Sequence, residues 1–152
     1  MLLFWHIKCF KQQITNHHQN LDRNTMEIKN FEVLIVEDSE EMLWTISNVL
    51  ETAGLSVDAV TTGKEALKKL EEFPEIKLVV LNYLLPDISG LTVMEQLRKN
   101  GCQAEVIAVS ASGREEIRNG FMEAGAFAFI EKPFNIRELA QFCKQALGRG
   151  NA

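Results

Sequence analysis

In the run "KLVVLN", residues 77–82, four aliphatic side chains stand in a row. Successive side chains of a strand point to opposite faces, so a strand that is apolar at every position has to be covered on both. That condition is met by a central strand of a parallel sheet with helices above and below, and by few other arrangements. The flanking sequence supplies the helices.

"FEVLIV" (31–36), "SVDAV" (56–60), "AEVIAVS" (104–110) and "AFAFIE" (126–131) read as four further strands from their β-branched, aliphatic and aromatic content. Helical spacing follows each strand. Met42/Leu43, Ile46, Val49/Leu50 and Ala53 repeat behind a Ser39 cap, and Gly54 ends that helix. "TGKEALKKLEEF" opens with Thr62 and Glu65 placed as a capping box and closes at Pro74. Leu91, Val93/Met94 and Leu97 define a third helix that starts near Ser89 or Gly90 and ends at Gly101. "GREEIRNGFMEAG" is a fourth, of weaker pattern. "NIRELAQFCKQAL" is the last, capped by Asn135, with Ile136, Leu139, Phe142/Cys143 and Ala146/Leu147 facing inward. Five strand–helix repeats predict an α/β fold, a doubly wound five-stranded parallel sheet with right-handed crossovers and helices on both faces. Ligands of such sheets bind beyond the carboxyl ends of the strands, so the residues at those ends carry the functional argument.

Residues 1–30 differ from the rest. They are polar, rich in Asn and Gln, and contain all three histidines, His6, His17 and His18. Leu3, Ile7, Phe10, Ile14 and Leu21 form a short uncapped helical stripe, one that would suit a partner or a second copy. Solvent exposure is the expectation for this extension, as poorly ordered chain or a loose helix, with Met26 a candidate start of the domain at 31–148 and 149–152 a tail. His17–His18 lacks the accompanying ligands of a metal site. The formal net charge is −5 with no basic element, which speaks against nucleic acid and anionic membrane as partners. No apolar run has the length of a membrane span, and Lys8 and Lys11 follow the apolar N-terminus where a signal peptide would have them precede it. Cys9, Cys102 and Cys143 are scattered and odd in number, as expected of reduced thiols in a cytoplasmic protein.

Strand one ends in Glu37-Asp38, strand three in Asn82, strand four in Ser110 and strand five in Glu131-Lys132-Pro133. Paired carboxylates at a strand end suit a hard cation such as Mg²⁺. A hydroxyl and a lysine beside them suit an anionic oxygen such as that of a phosphate. Each residue has an ordinary reading alone, as a helix-opening acid, a turn serine or a surface lysine. Their placement at the ends of strands of one sheet favours a shared site.

The pieces "VLIVED", "LNYLLPDISGL", "VIAVSA" and "GAFAFIEKPF" resemble, in order and spacing, the receiver domain of bacterial two-component response regulators over about residues 31–148. The resemblance implies a flavodoxin-like sheet of order 2-1-3-4-5. It implies that Glu37, Asp38 and the carbonyl of Leu84 bind Mg²⁺. It further implies that Ser110 and Lys132 contact a phosphoryl group, and that Phe129 is a switch aromatic. The partners it implies are a sensor histidine kinase or another signalling protein. The contact face would be the fourth helix, fifth strand and fifth helix, about Gly113–Leu147, with homodimerisation a further option. Phe121, Phe127, Phe129 and Phe142 supply aromatic mass there, with Phe121 and Phe142 expected in the core.

The sequence departs from the family at one position. The phosphoacceptor aspartate falls on Asn82. An amide oxygen is neutral and its lone pair is delocalised, so it is not among the usual covalent nucleophiles. Loss of one acid also weakens Mg²⁺ binding, since two unit charges about 4 Å apart interact by roughly 4 kcal/mol at an effective dielectric near 20, less the relief of repulsion among the acids. The amide oxygen remains a possible metal ligand beside Glu37, Asp38 and Leu84. The expected function is a stand-alone, phosphorylation-independent receiver-like module, not an enzyme, acting by protein contact. The alternatives are a conventional regulator with another acceptor (Asp38, a nearby Ser or deamidated Asn82) or an engineered Asp-to-Asn form. A phosphohydrolase of the haloacid-dehalogenase type is a third class, but "EDSEE" after strand one lacks its D-x-D. Past Leu147 the sequence reads "GRGNA", and the expectation drawn from it is an output made through contacts of the domain itself.

Overall fold

The computed structural model describes residues 30–150. The expectations for the N-terminal stripe, Met26, the histidines and Cys9 lie outside the described residues, as do the last two positions of the tail. The elements are β1 (Val33–Val36), α1 (Glu40–Thr52), β2 (Val57–Val60), α2 (Gly63–Glu72), β3 (Leu78–Asn82), α3 (Gly90–Lys99), β4 (Glu105–Ser110), α4 (Glu115–Glu123), β5 (Ala128–Glu131) and α5 (Ile136–Ala146). The five strands form one parallel sheet of order β2-β1-β3-β4-β5, the order that the family resemblance implies.

All five residues of β3 are buried, so the strand that most constrained the fold sits at its centre. Alternate residues divide between two cores. Leu34, Val36, Val79, Leu81, Val106, Ala108 and Phe129 face α2, α3 and α4. Val33, Ile35, Leu78, Val80, Ile107 and Val109 face α1 and α5. The edge strands are less covered, β2 along most of its length and β5 at both ends. β1 and β5 begin two residues later than the runs read from the sequence, and β2, β3 and β4 one residue later. The backbone at these starts still pairs: Val33 N–H donates to Ser56 O and Phe127 N–H to Val106 O. Among the described residues no helix is long and apolar enough to cross a membrane.

The caps explain the helix starts. The side chains of Ser39, Thr62, Ser89 and Asn135 each accept from a first-turn N–H, whereas α4 begins at Arg114 with no side-chain cap, in keeping with its weaker pattern. Gly54 and Gly101 terminate α1 and α3 with φ of +88° and +78°, the left-handed conformation that suits glycine. The expected capping box at α2 is only half formed. Thr62 accepts from Glu65 N–H at 3.2 Å, but the Glu65 carboxylate reaches back to Thr61 and not to Thr62. The remaining donors of that helix start, Gly63 and Lys64 N–H, are taken at 2.9 Å each by Asp87 from the β3–α3 loop. Arg149, placed in the tail from sequence, forks onto Glu32 at 2.6 and 3.1 Å and ties the chain's end to the start of β1.

Asp87 gives a pH prediction. Desolvation pulls its pKa upward, but the N–H groups of Lys64, Gly63 and Ile88 donate to the carboxylate and hold it at about 2, below the ordinary 3.8. A depressed carboxyl contributes stability that is complete above the unfolded value and lost as pH falls through the folded one. Asp87→Ala is therefore expected to lower Tm by a few degrees at neutral pH and to flatten the acid dependence of unfolding between about 4 and about 2. Thermal melts of both proteins across that range check it.

Candidate functional site

The parallel sheet brings every expected site residue except Phe129 to its carboxyl-end rim. Glu37 and Asp38 follow β1, Asn82 closes β3, Ser110 closes β4 and Lys132 follows β5. The loop after β3 is set by a close approach: Gly90 N–H donates to Tyr83 O at 2.7 Å, and a Cβ at Gly90 would fall on the carbonyl oxygen of Asn82. Glycine is required there because backbone, which cannot swing aside, occupies the space.

Asn82 is the centre of the arrangement. Its Nδ2 donates to Leu84 O at 2.8 Å, to Asp38 Oδ1 at 3.2 Å and to Glu37 Oε1 at 3.3 Å. Two N–H groups thus serve three acceptors, one hydrogen being shared. The chemistry dictates this orientation of the amide. Turned over, its oxygen would face two carboxylates and a carbonyl, none of which donates. Lys132 Nζ donates to the other oxygen of Glu37 at 2.9 Å, and Ser39 N–H donates to Glu37 Oε1 at 3.1 Å. Glu37 is 2% exposed, so burial pushes its carboxyl above the ordinary range, a rise that the Lys132 ammonium and the Ser39 N–H oppose.

Ser110 is buried beside these groups, but its hydroxyl accepts from Ser112 N–H at 3.0 Å and is not bonded to Asn82. Phe129 lies off the rim in the core under α4. Its ring packs on Phe121 at 6.0 Å between centroids, and the Arg118 guanidinium sits 4.7 Å over it. Phe121 is fully buried and Phe142 half-buried, while Phe127 is exposed. The Cys143 thiol is buried and desolvation pushes it up to about 12, so it is inert at neutral pH.

Sequence reasoning did not find Arg118 or Asp87. Asp87 acts on residues 23 and 24 positions away, and no local spacing signals such a contact. Arg118 lies on the helix of weakest pattern, and only the β5 packing gives it a partner.

The four groups expected to hold Mg²⁺ are together, but they meet through an N–H donor. Mg²⁺ takes oxygen ligands, and an amide nitrogen is not one. Among the described residues no group of three or more His, Cys, Asp and Glu is placed to hold a metal. The arrangement as it stands does not fit the cation.

Residues 33–144 match the family described as the response regulator receiver domain. The chain belongs to that family. It is 36% identical over 108 residues to response regulator RppA of a Synechocystis species, an alignment covering 70% of this chain and 46% of RppA. The receiver domain spans about half the length of the curated regulators it matches. The CheY-like receiver domain of Methanospirillum hungatei superposes with a TM-score of 0.73 at 30% identity, covering 78% of this chain and 94% of that one. A Borrelia burgdorferi complex of CheX, CheY, BeF3 and Mg²⁺ contains a chain of TM-score 0.72 and 28% identity, over 77% and 89% of the two chains. As a receiver domain, the chain shares the two-component signalling role of that family.

Proposed function

We propose that this domain is a pseudo-receiver of two-component signalling. It takes no phosphoryl group at Asn82 and acts in the cytoplasm by contact with a signalling protein such as a sensor histidine kinase. The observation that carries the reading is the amide of Asn82 at the end of β3, bonded to Glu37, Asp38 and the Leu84 carbonyl. An acyl phosphate forms when an anionic carboxylate oxygen attacks phosphorus. The amide oxygen carries no such charge, and an amide is not among the groups that form covalent intermediates. Ser110 and Lys132 stand at the phosphoryl-contact positions, but their polar atoms are engaged by Ser112 and Glu37. Phe129 is the switch position, and the output face is α4, β5 and α5, about residues 113–147. Met122 and Phe127 are large exposed apolar residues within that stretch.

The test is the intact mass of the native protein and of Asn82→Asp after incubation with acetyl phosphate and Mg²⁺. Only the Asp variant is expected to gain a phosphoryl group. A gain by the native protein would overturn the proposal, and mapping the modified residue would separate Asp38 from deamidated Asn82 as the acceptor.

A further inference from the structure

Resting on the same placement of Asn82, we infer that its side-chain NH2 group occupies the position of a divalent cation and makes the site cation-independent. Three oxygens from three points in the chain, Glu37 Oε1, Asp38 Oδ1 and Leu84 O, converge on one nitrogen at 2.8 to 3.3 Å. Convergence of two carboxylates and a carbonyl on one point is what a hard cation requires. Here a polarised N–H pair supplies the positive end, and its nitrogen lone pair is tied up in the amide.

A cation has two ways in, and both are opposed. If the amide leaves, its donors abandon three acceptors in a site where Asn82 is 6% exposed and Glu37 2%. If the amide turns to offer its oxygen, the NH2 group loses the same three acceptors. Charge points the same way. Glu37 and Asp38 are two formal negatives, and the Lys132 ammonium on Glu37 removes one, leaving a single net negative charge. An aspartate at 82 would leave two. The remaining charge is largely that of Asp38, which is exposed and solvated. The domain is thereby relieved of any dependence on divalent cations for the geometry of its rim, and a partner reading that rim meets one fixed arrangement.

The experiment is an Mn²⁺ titration of ¹⁵N-labelled protein, native, Asn82→Asp and Asn82→Ala, following paramagnetic broadening of the backbone amides of Glu37, Asp38, Tyr83 and Leu84. In the native protein these amides are expected to broaden no more than those beside the surface acids Glu71 and Glu72. Asn82→Asp is expected to broaden selectively at the site, with Mn²⁺ bound at least ~10-fold more tightly than by the native chain. Asn82→Ala is also expected to broaden there, because nothing then stands between the acids; it carries the test if the Asp variant is too repulsive to fold. Selective broadening of the native protein comparable to the variants overturns the inference. So does the absence of broadening in every protein, since the amide would then not be what excludes the cation. The phosphoryl reading fails separately: a native chain that binds Mn²⁺ but gains no phosphoryl mass defeats only this inference, and one that gains the mass defeats the reading beneath it.

Discussion

Replacing Lys132 by alanine is expected to lower the unfolding free energy by about 3–5 kcal/mol at neutral pH, the range for breaking one side of a buried ion pair. The two side chains are 19% and 3% exposed and meet at 2.9 Å. An intact buried pair need not stabilise a fold, because desolvating two charges offsets their attraction. A lone buried carboxylate has only the penalty. Glu37 already carries a raised pKa from burial, with Lys132 as the leading opposing influence, so the variant raises it further. The sign follows from linkage. A carboxyl whose folded pKa lies above its unfolded value binds more protons when folded, so stability falls as pH rises from the unfolded value to the folded one. The loss in Lys132→Ala is therefore small under acid conditions and full at neutral pH. Urea unfolding at both pH values measures it, and Glu37→Gln in the same background should recover much of the difference. A loss independent of pH would mean that packing of the lysine stem, not its charge, is what the site needs.

Much of this site was legible because a parallel sheet delivers every strand end to one rim. Once the apolar runs ending at Val36, Asn82, Ser110 and Glu131 are read as parallel strands, the meeting of Glu37, Asp38, Asn82, Ser110 and Lys132 follows from topology. The fold was legible for a related reason: helical periodicity and unbroken apolar strands are local signals that the two cores then satisfy. What stayed hidden is directional. The sequence allows Asn82 to offer its oxygen to a cation or its nitrogen to the acids, and only the positions of the three acceptors decide for nitrogen. Likewise Ser110 is where the strand end puts it, yet its hydroxyl closes a local turn onto Ser112. Long-range partners such as Asp87 for α2 and Arg118 for Phe129 leave no periodic trace.

Phe121→Ala is expected to cost about 3–5 kcal/mol and to release the Phe129 ring from its present position. Phe121 is fully buried and stands in the middle of an aromatic row. Its ring meets Tyr83 nearly edge-on at 6.3 Å and Phe129 at 6.0 Å. Tyr83 directly follows Asn82, and its N–H is fixed by Val109 O at 2.9 Å, so the row connects the rim to β5. Phe129 is held from two directions, by the Phe121 ring and by the Arg118 guanidinium. Arg118 is half-exposed, so removing it should cost only about 0.5–1 kcal/mol. Phe121→Leu keeps most of the volume and serves as the milder change where the alanine variant is too unstable. Aromatic NMR of Phe129 in the three variants reads its ring environment, with urea unfolding read beside it. If Phe121 fixes the ring, its signals shift strongly in Phe121→Ala, less in Phe121→Leu, and least in Arg118→Ala. If Arg118→Ala alone shifts them, the ring is held from the surface side. A partner bound on α4 and β5 would then control Phe129 by displacing one exposed guanidinium, without any signal passing through the aromatic row from Asn82.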